Sequence, residues 1–127
     1  MHEASVAGSL VELVLDDLAI RGYPEIQRVR AVRVRLGRLG SVVPAALRSA
    51  FDVAKRHTAL HDADLRVEIV EPAVLCEACG LERTIVAPYR LRCPSCDQRC
   101  PELVRGQEME LDAIELADTP VEARRGA

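Results

Sequence analysis

Two cysteine pairs, Cys76-Glu77-Ala78-Cys79 and Cys93-Pro94-Ser95-Cys96, repeat one spacing about a dozen residues apart. A two-residue gap curls the backbone so that both thiolates of a pair point inward, and two such turns can close a tetrahedral shell of sulfur around one ion. Sulfur in that geometry selects zinc(II) or iron-sulfur chemistry. With Cys76, Cys79, Cys93 and Cys96 all engaged, no coordination position remains for water, so the spacing predicts a structural zinc ion rather than a zinc hydrolase. Two disulfides are the competing reading, disfavoured because the first residues carry no basic, apolar secretory pattern.

The other candidate ligands weigh less. Cys100 is left over once the pairs are assigned and reads as a bystander thiol. His57 and His61 stand four residues apart, a spacing that can hold a metal on a helix. At the expected end of a helix they read as surface or capping groups, favoured there by the dipole.

These ligands need a scaffold, and composition bounds it. The 127 residues suffice for one small domain carrying a still smaller module, with metal as added support. Hydrophobic residues make up 49% and charged residues 29%, which is a globular mix, but one Phe, two Tyr and no Trp require an aliphatic core. Net charge is -3, so no overall basic bias recommends nucleic acid. Glu12, Asp16 and Asp17 interrupt the first apolar stretch, excluding a membrane span there and pointing to a cytoplasmic protein.

From Glu3 to about Arg21, Val6, Ala7, Leu10, Val11, Val14, Leu15 and Leu18 recur at three- and four-residue steps, predicting an amphipathic helix stopped by Gly22 and Pro24. Val32, Val34 and Leu36 alternate with Arg33 and Arg35, the period of a strand with one buried face. A second helix is expected after Ser41 or a neighbouring cap, with Pro44 in its first turn and Leu47, Ala50, Phe51 and Ala54 as its stripe. Leu65 to Val70 and Glu108 to Leu116 read as two more strands. Between them, short ribbon strands are expected near Thr84 to Ala87 and Tyr89 to Arg92. The fold class expected is α+β: a small three-stranded mixed sheet with two helices plus an inserted zinc-ribbon module. The domains expected are 1–72 with 107–117, the ribbon at 73–106, and a flexible tail at 118–127. Arg28, Arg30, Arg33, Arg35 and Arg38 read as a solvated face of the sheet, or as a docking surface for an acidic partner.

Taken together, the Met1-His2-Glu3 start, the long first helix, Leu39-Gly40-Ser41-Val42-Val43-Pro44 with Leu47 and Phe51, the stretch from Thr58 to Leu65, the paired CxxC turns and the Gly106 to Leu116 closing strand resemble the HypA/HybF family of nickel-insertion accessory proteins for nickel-iron hydrogenase maturation. The resemblance implies a nickel-binding α/β domain plus a zinc domain, with zinc ligands on Cys76, Cys79, Cys93 and Cys96 and a nickel site on Met1, His2 and Glu3. It also implies delivery of nickel to the hydrogenase large subunit beside a partner GTPase, and in some members support of urease and its accessory proteins. The donor chemistry suits that role. The α-amine of Met1, the amide and imidazole of His2 and the amide of Glu3 make an all-nitrogen plane, which nickel(II) and copper(II) prefer. Because those donors bind only when deprotonated, affinity should fall as pH drops through the histidine range. The Glu3 carboxylate is expected to orient the imidazole.

The leading expectation is therefore a metallochaperone and not an enzyme, working as monomer or homodimer, with transient nickel(II) and structural zinc(II). The alternative is a zinc-ribbon adaptor for nucleic acid or a transcription-associated partner, using Arg83, Arg90, Arg92 and Arg99, against which the acidic balance and scarcity of aromatics count. An iron-bearing, rubredoxin-like electron carrier would use the same four thiolates.

Overall fold

In the computed structural model, which describes residues 3–24 and 27–117, the amphipathic N-terminal segment forms helix α1, Glu3–Ile20. Its buried stripe is Val6, Ala7, Leu10, Val11, Val14 and Leu18, the three- and four-residue rhythm of the sequence. The helix closes with Gly22 N–H donating to the Ala19 carbonyl and Tyr23 N–H to that of Leu18, both at 3.0 Å. This paired closure satisfies carbonyls that the helix end would otherwise leave without donors.

Strand β1 (Val29–Gly37), helix α2 (Pro44–Ala54) and strand β2 (Asp64–Val70) follow as a crossover unit, and β1 and β2 pair in parallel from Ala31 opposite Asp64 to Gly37 opposite Val70. The chain leaves this sheet and re-enters it with the last strand, Met109–Leu116, which lies antiparallel to β1 on its other edge. Both helices contribute to a single apolar core on one face of this mixed sheet, with Val14, Val32, Leu47, Phe51 and Leu60 fully enclosed. The α+β class expected from the sequence is the one observed.

On the sheet's open face the arginines of β1 meet glutamates of the flanking strands. Arg35 lies 3.1 Å from Glu110 and 3.8 Å from Glu68, and Arg66 and Arg33 share Glu115 at 2.7 and 3.9 Å. Arg28 pairs with Asp62 at 2.7 Å, and Arg38 grips Glu71 through two bonds of 2.7 and 2.8 Å. This cross-strand ladder, with carboxylates already answering the guanidinium charge, supports the solvated-face reading over a basic docking surface.

Residues between β2 and the closing strand build a second three-stranded sheet from β3 (Ala73–Cys76), β4 (Leu81–Thr84) and β5 (Leu103–Arg105), in the order β4-β3-β5. The closing strand is therefore β6. Two details correct the sequence-based expectation. The ribbon strands do not run near 84–87 and 89–92; Tyr89 to Arg92 contributes only a bridge between Arg92 and Arg99. The reason is that the first cysteine turn is itself the hairpin, so the ladder flanks it directly, Cys76 opposite Leu81 and Ala73 opposite Thr84.

The second correction concerns α2. Its N-cap is Val43, which has no side-chain cap, and Ser41 does not fill the role. The Val43 N–H instead donates to Oε2 of Glu3 at 3.0 Å, so a carboxylate at the head of α1 supports the start of α2.

The two sheets meet where the chain leaves and returns. A Cβ on Gly37 would overlap the Gly106 carbonyl carbon and oxygen and the Gln107 nitrogen, so bare backbone crosses bare backbone there. Leu39 N–H donates to the Gly106 carbonyl and Gly37 N–H to that of Glu108, both at 2.8 Å, and the Glu108 carboxylate accepts from Gly106 N–H at 2.7 Å.

Candidate metal centre

The two CxxC turns have equivalent backbone geometry. Gly80 N–H donates to the Cys76 carbonyl and Asp97 N–H to that of Cys93, each at 2.8 Å, and the residue after each pair is left-handed, Gly80 at φ +72° and Asp97 at +63°. Glycine and aspartate are among the residue types that tolerate this conformation. The Arg92 guanidinium braces the second turn by donating to the Asp97 carbonyl at 3.0 Å.

These turns bring together the four cysteines named from the sequence. All five cysteines are free thiols, and the sulfurs of Cys76, Cys79, Cys93 and Cys96 lie within 4.8 Å of one another. The separations are 3.5 Å for Cys76 to Cys96, 3.7 Å for Cys79 to Cys96 and 3.9 Å for Cys79 to Cys93. A tetrahedron with zinc-sulfur bonds of about 2.3 Å has edges of about 3.8 Å, so the donor set fits zinc without rearrangement. Cys76 and Cys93 are buried, Cys79 is half-buried and Cys96 is exposed, giving the cluster an inner and an outer pair.

Backbone amides favour the thiolate form on the inner side. The Cys79 N–H lies 3.4 Å from Cys76 Sγ and lowers that thiol's pKa against the opposing effect of burial. The Cys93 thiol is drawn down to about 6, by the N–H of Cys96 and then that of Ser95. Cys96 goes the other way, to about 12: the Gln98 N–H favours its thiolate, but the neighbouring Cys76, burial, Cys93 and Cys79 together outweigh it. Four thiols this close do not ionise independently, and a divalent ion held among them would displace their protons.

Cys100 is buried within the same small core, its Sγ 3.4 Å from the Gln98 carbonyl, and burial raises its pKa. It is not part of the four-sulfur group, as the sequence reading held. His57 and His61 lie on the surface after α2, His61 beside Asp62 at 3.1 Å, and among the described residues only the four cysteines gather as a group of three or more metal donors. Met1 and His2, the other half of the expected nickel site, lie outside the described residues. Glu3 is placed in the first turn of α1 with one carboxylate oxygen engaged by Val43. The tie from Glu3 to Val43 went unseen at the sequence level, since forty residues separate the two.

Two solved proteins share this fold. The solution structure of the nickel metallochaperone HypA from Helicobacter pylori superposes with a TM-score of 0.64 over 91% of this chain and 97% of that one, at 23% identity. A second, a solution structure of HypA protein, gives 0.66 over 92% and 97%, at 24% identity. At such identities the likeness establishes fold. Sequence carries it further: a family model described as hydrogenase/urease nickel incorporation, metallochaperone, matches residues 1–116. Hydrogenase maturation factor HypA of Chloroflexus aurantiacus is 41% identical over 115 residues, covering 91% of this chain and 98% of that protein. The corresponding factor of a Roseiflexus species is 42% identical over 123 residues, covering 97% and 98%. The chain belongs to the HypA family of nickel metallochaperones.

Proposed function

We propose that this protein takes up nickel(II) at its N-terminus, through the Met1 amine, the His2 amide and imidazole and the Glu3 amide, and helps insert it into the large subunit of a nickel-iron hydrogenase. The observation that carries this reading is the family match, which starts at residue 1 and so spans Met1, His2 and Glu3. Glu3 supports it: it opens α1 and is tied to the start of α2, giving the chelate a fixed base. In this reading residues 1–72 with 107–117 form the nickel-handling domain and residues 73–106 the zinc domain, with 118–127 as a tail. Zinc is held by Cys76, Cys79, Cys93 and Cys96, where it closes the ribbon and performs no chemistry. The protein is not an enzyme; nucleotide hydrolysis is supplied by a partner GTPase in the cytoplasm. Among the described residues no helix is long and apolar enough to cross a membrane.

The test is metal analysis and nickel titration of the untagged protein beside His2→Ala and a form with several residues added before Met1. One zinc per chain is expected in all three, and tight nickel binding only in the unmodified protein. Nickel uptake that survives the extension would refute the terminal chelate while leaving the zinc assignment standing.

A further inference from the structure

Beyond β4, residues 85–92 run as an irregular loop, joined to the chain after the second cysteine turn by the bridge from Arg92 to Arg99 and by Cys100 N–H donating to the Leu91 carbonyl at 2.8 Å. Between this loop and the turn lies a cleft of about 250 Å³, its apolar lining supplied by Ile85, Val86, Pro88 and Pro94 and its charge by Arg90 and Arg92. The apolar side chains of the loop are open to solvent: Val86 is 76% exposed, Leu91 42% and Tyr89 38%.

Residues 85–99 carry three arginines against one carboxylate, Asp97. Arg92 takes up that group, donating to the Asp97 carbonyl at 3.0 Å and standing 3.9 Å from its carboxylate. Arg90 and Arg99 are exposed and have no hydrogen bond or ion pair from their side chains among the described residues. Arg92 and Arg99 are also set directly opposite each other, a pairing that like charges disfavour. The open face of the larger sheet is built the other way, where a carboxylate meets each of Arg28, Arg33, Arg35, Arg38 and Arg66.

An open apolar cleft beside unanswered guanidinium groups selects the complementary pattern, an apolar side chain with carboxylates around it. Arginine suits carboxylates in particular, since its planar fork takes both oxygens at once. Nucleic acid fits less well: Tyr89 is the one aromatic residue of the loop for bases to stack on, and the chain as a whole carries a net charge of -3. We infer that this cleft on the ribbon docks an acidic segment of a partner protein, whose apolar side chain enters beside Val86 while its carboxylates engage Arg90 and Arg99. The N-terminal donors take no part in this contact, so it goes beyond the nickel reading, and a failed nickel titration leaves it standing.

The experiment follows fluorescence anisotropy of a fluorescein-labelled peptide, Glu-Glu-Leu-Glu-Glu, against the full zinc-loaded chain. The variants are Arg90→Glu with Arg99→Glu, Val86→Asp, and Arg48→Glu, which places the same charge reversal on α2. All four side chains are exposed, so the substitutions leave the cores untouched. Wild type should bind saturably, and the double reversal and Val86→Asp should each weaken binding by about 10-fold or more, the order of one well-made interface contact. Arg48→Glu should match wild type, and a peptide with serine for leucine should bind more weakly. Amide shifts in the nitrogen-15 spectrum should concentrate between residues 85 and 99. Wild type that does not bind the peptide overturns the inference, as does binding that the double reversal leaves unchanged or that Arg48→Glu weakens equally. Tighter binding of random single-stranded DNA, lost in the same double variant, would reassign the surface to nucleic acid. A double variant that loses its zinc would show that the arginines serve the metal site, which also overturns the docking role.

Discussion

At the scale of single residues, Glu3 reaches from the head of α1 to serve the start of α2. In a capping box the glutamate three positions into a helix reaches back to the N-cap amide, but that position in α2 is Ala46, which has no acceptor. Glu3 provides the carboxylate from another helix, at 3.0 Å. Glu3→Ala should therefore lower unfolding free energy by about 1 kcal/mol, the usual worth of a lost cap, and Glu3→Gln, which retains an acceptor oxygen, by clearly less. Urea denaturation of the two variants, read at constant m-value, checks this; equal losses would rule out the cap. The cysteines, by contrast, were legible from spacing alone, because a two-residue gap constrains the local turn whatever surrounds it. The Glu3 tie was not legible, since it depends on which distant backbone atom the fold brings near.

Among elements, legibility followed the source of the burial. Strands β1, β2 and β6 and both helices bury apolar side chains on one face, so their periodicity was plain in the chain. The ribbon strands were misplaced because their core is sulfur: β3 is four residues long, β4 has mostly exposed side chains, and the apolar run Ile85-Val86-Ala87 that suggested a strand lies just past the hairpin. The junction between the sheets was marked only by its glycines. Gly106 sits at φ +117°, and a Cβ there would come 2.7 Å from Pro72 Cα. Gly37→Ala and Gly106→Ala should each cost more than about 3 kcal/mol, because backbone must move in both. Gly8→Ala, in α1 with open space around it, should instead stabilise by roughly 0.5–1 kcal/mol. Calorimetric melting of the three variants tests the contrast, and a Gly37→Ala protein that melts with wild type would dismiss the close crossing.

For the molecule as a whole, the two cores differ in what holds them. One joins α1, α2 and the mixed sheet through aliphatic side chains, while the other consists of Val74, Cys76, Ile85, Cys93 and Cys100, with Cys79 and Leu103 against it. Its buried centre is largely cysteine sulfur, too small to exclude water unless the sulfurs are drawn together. Chelating the zinc should thus abolish amide protection across β3, β4 and β5 while α1, α2, β1 and β2 stay protected in hydrogen exchange. The effect should not stop at the ribbon. Strand β6 returns to β1 only after the ribbon, so unfolding the insertion turns a short connection into a free loop on the order of 35 residues, whose closure costs about 3 kcal/mol. The melting temperature of the mixed sheet should fall with zinc removal, and β6 should become the first of its strands to exchange. Uniform loss of protection over the whole chain would show one cooperative unit instead, and unchanged protection in β3 to β5 would show a ribbon that folds without its metal. On the proposed reading, zinc at the four cysteines would then stabilise the sheet and helices that carry the N-terminal segment by shortening the path from β2 to β6, a contribution that requires no contact between that segment and the ribbon.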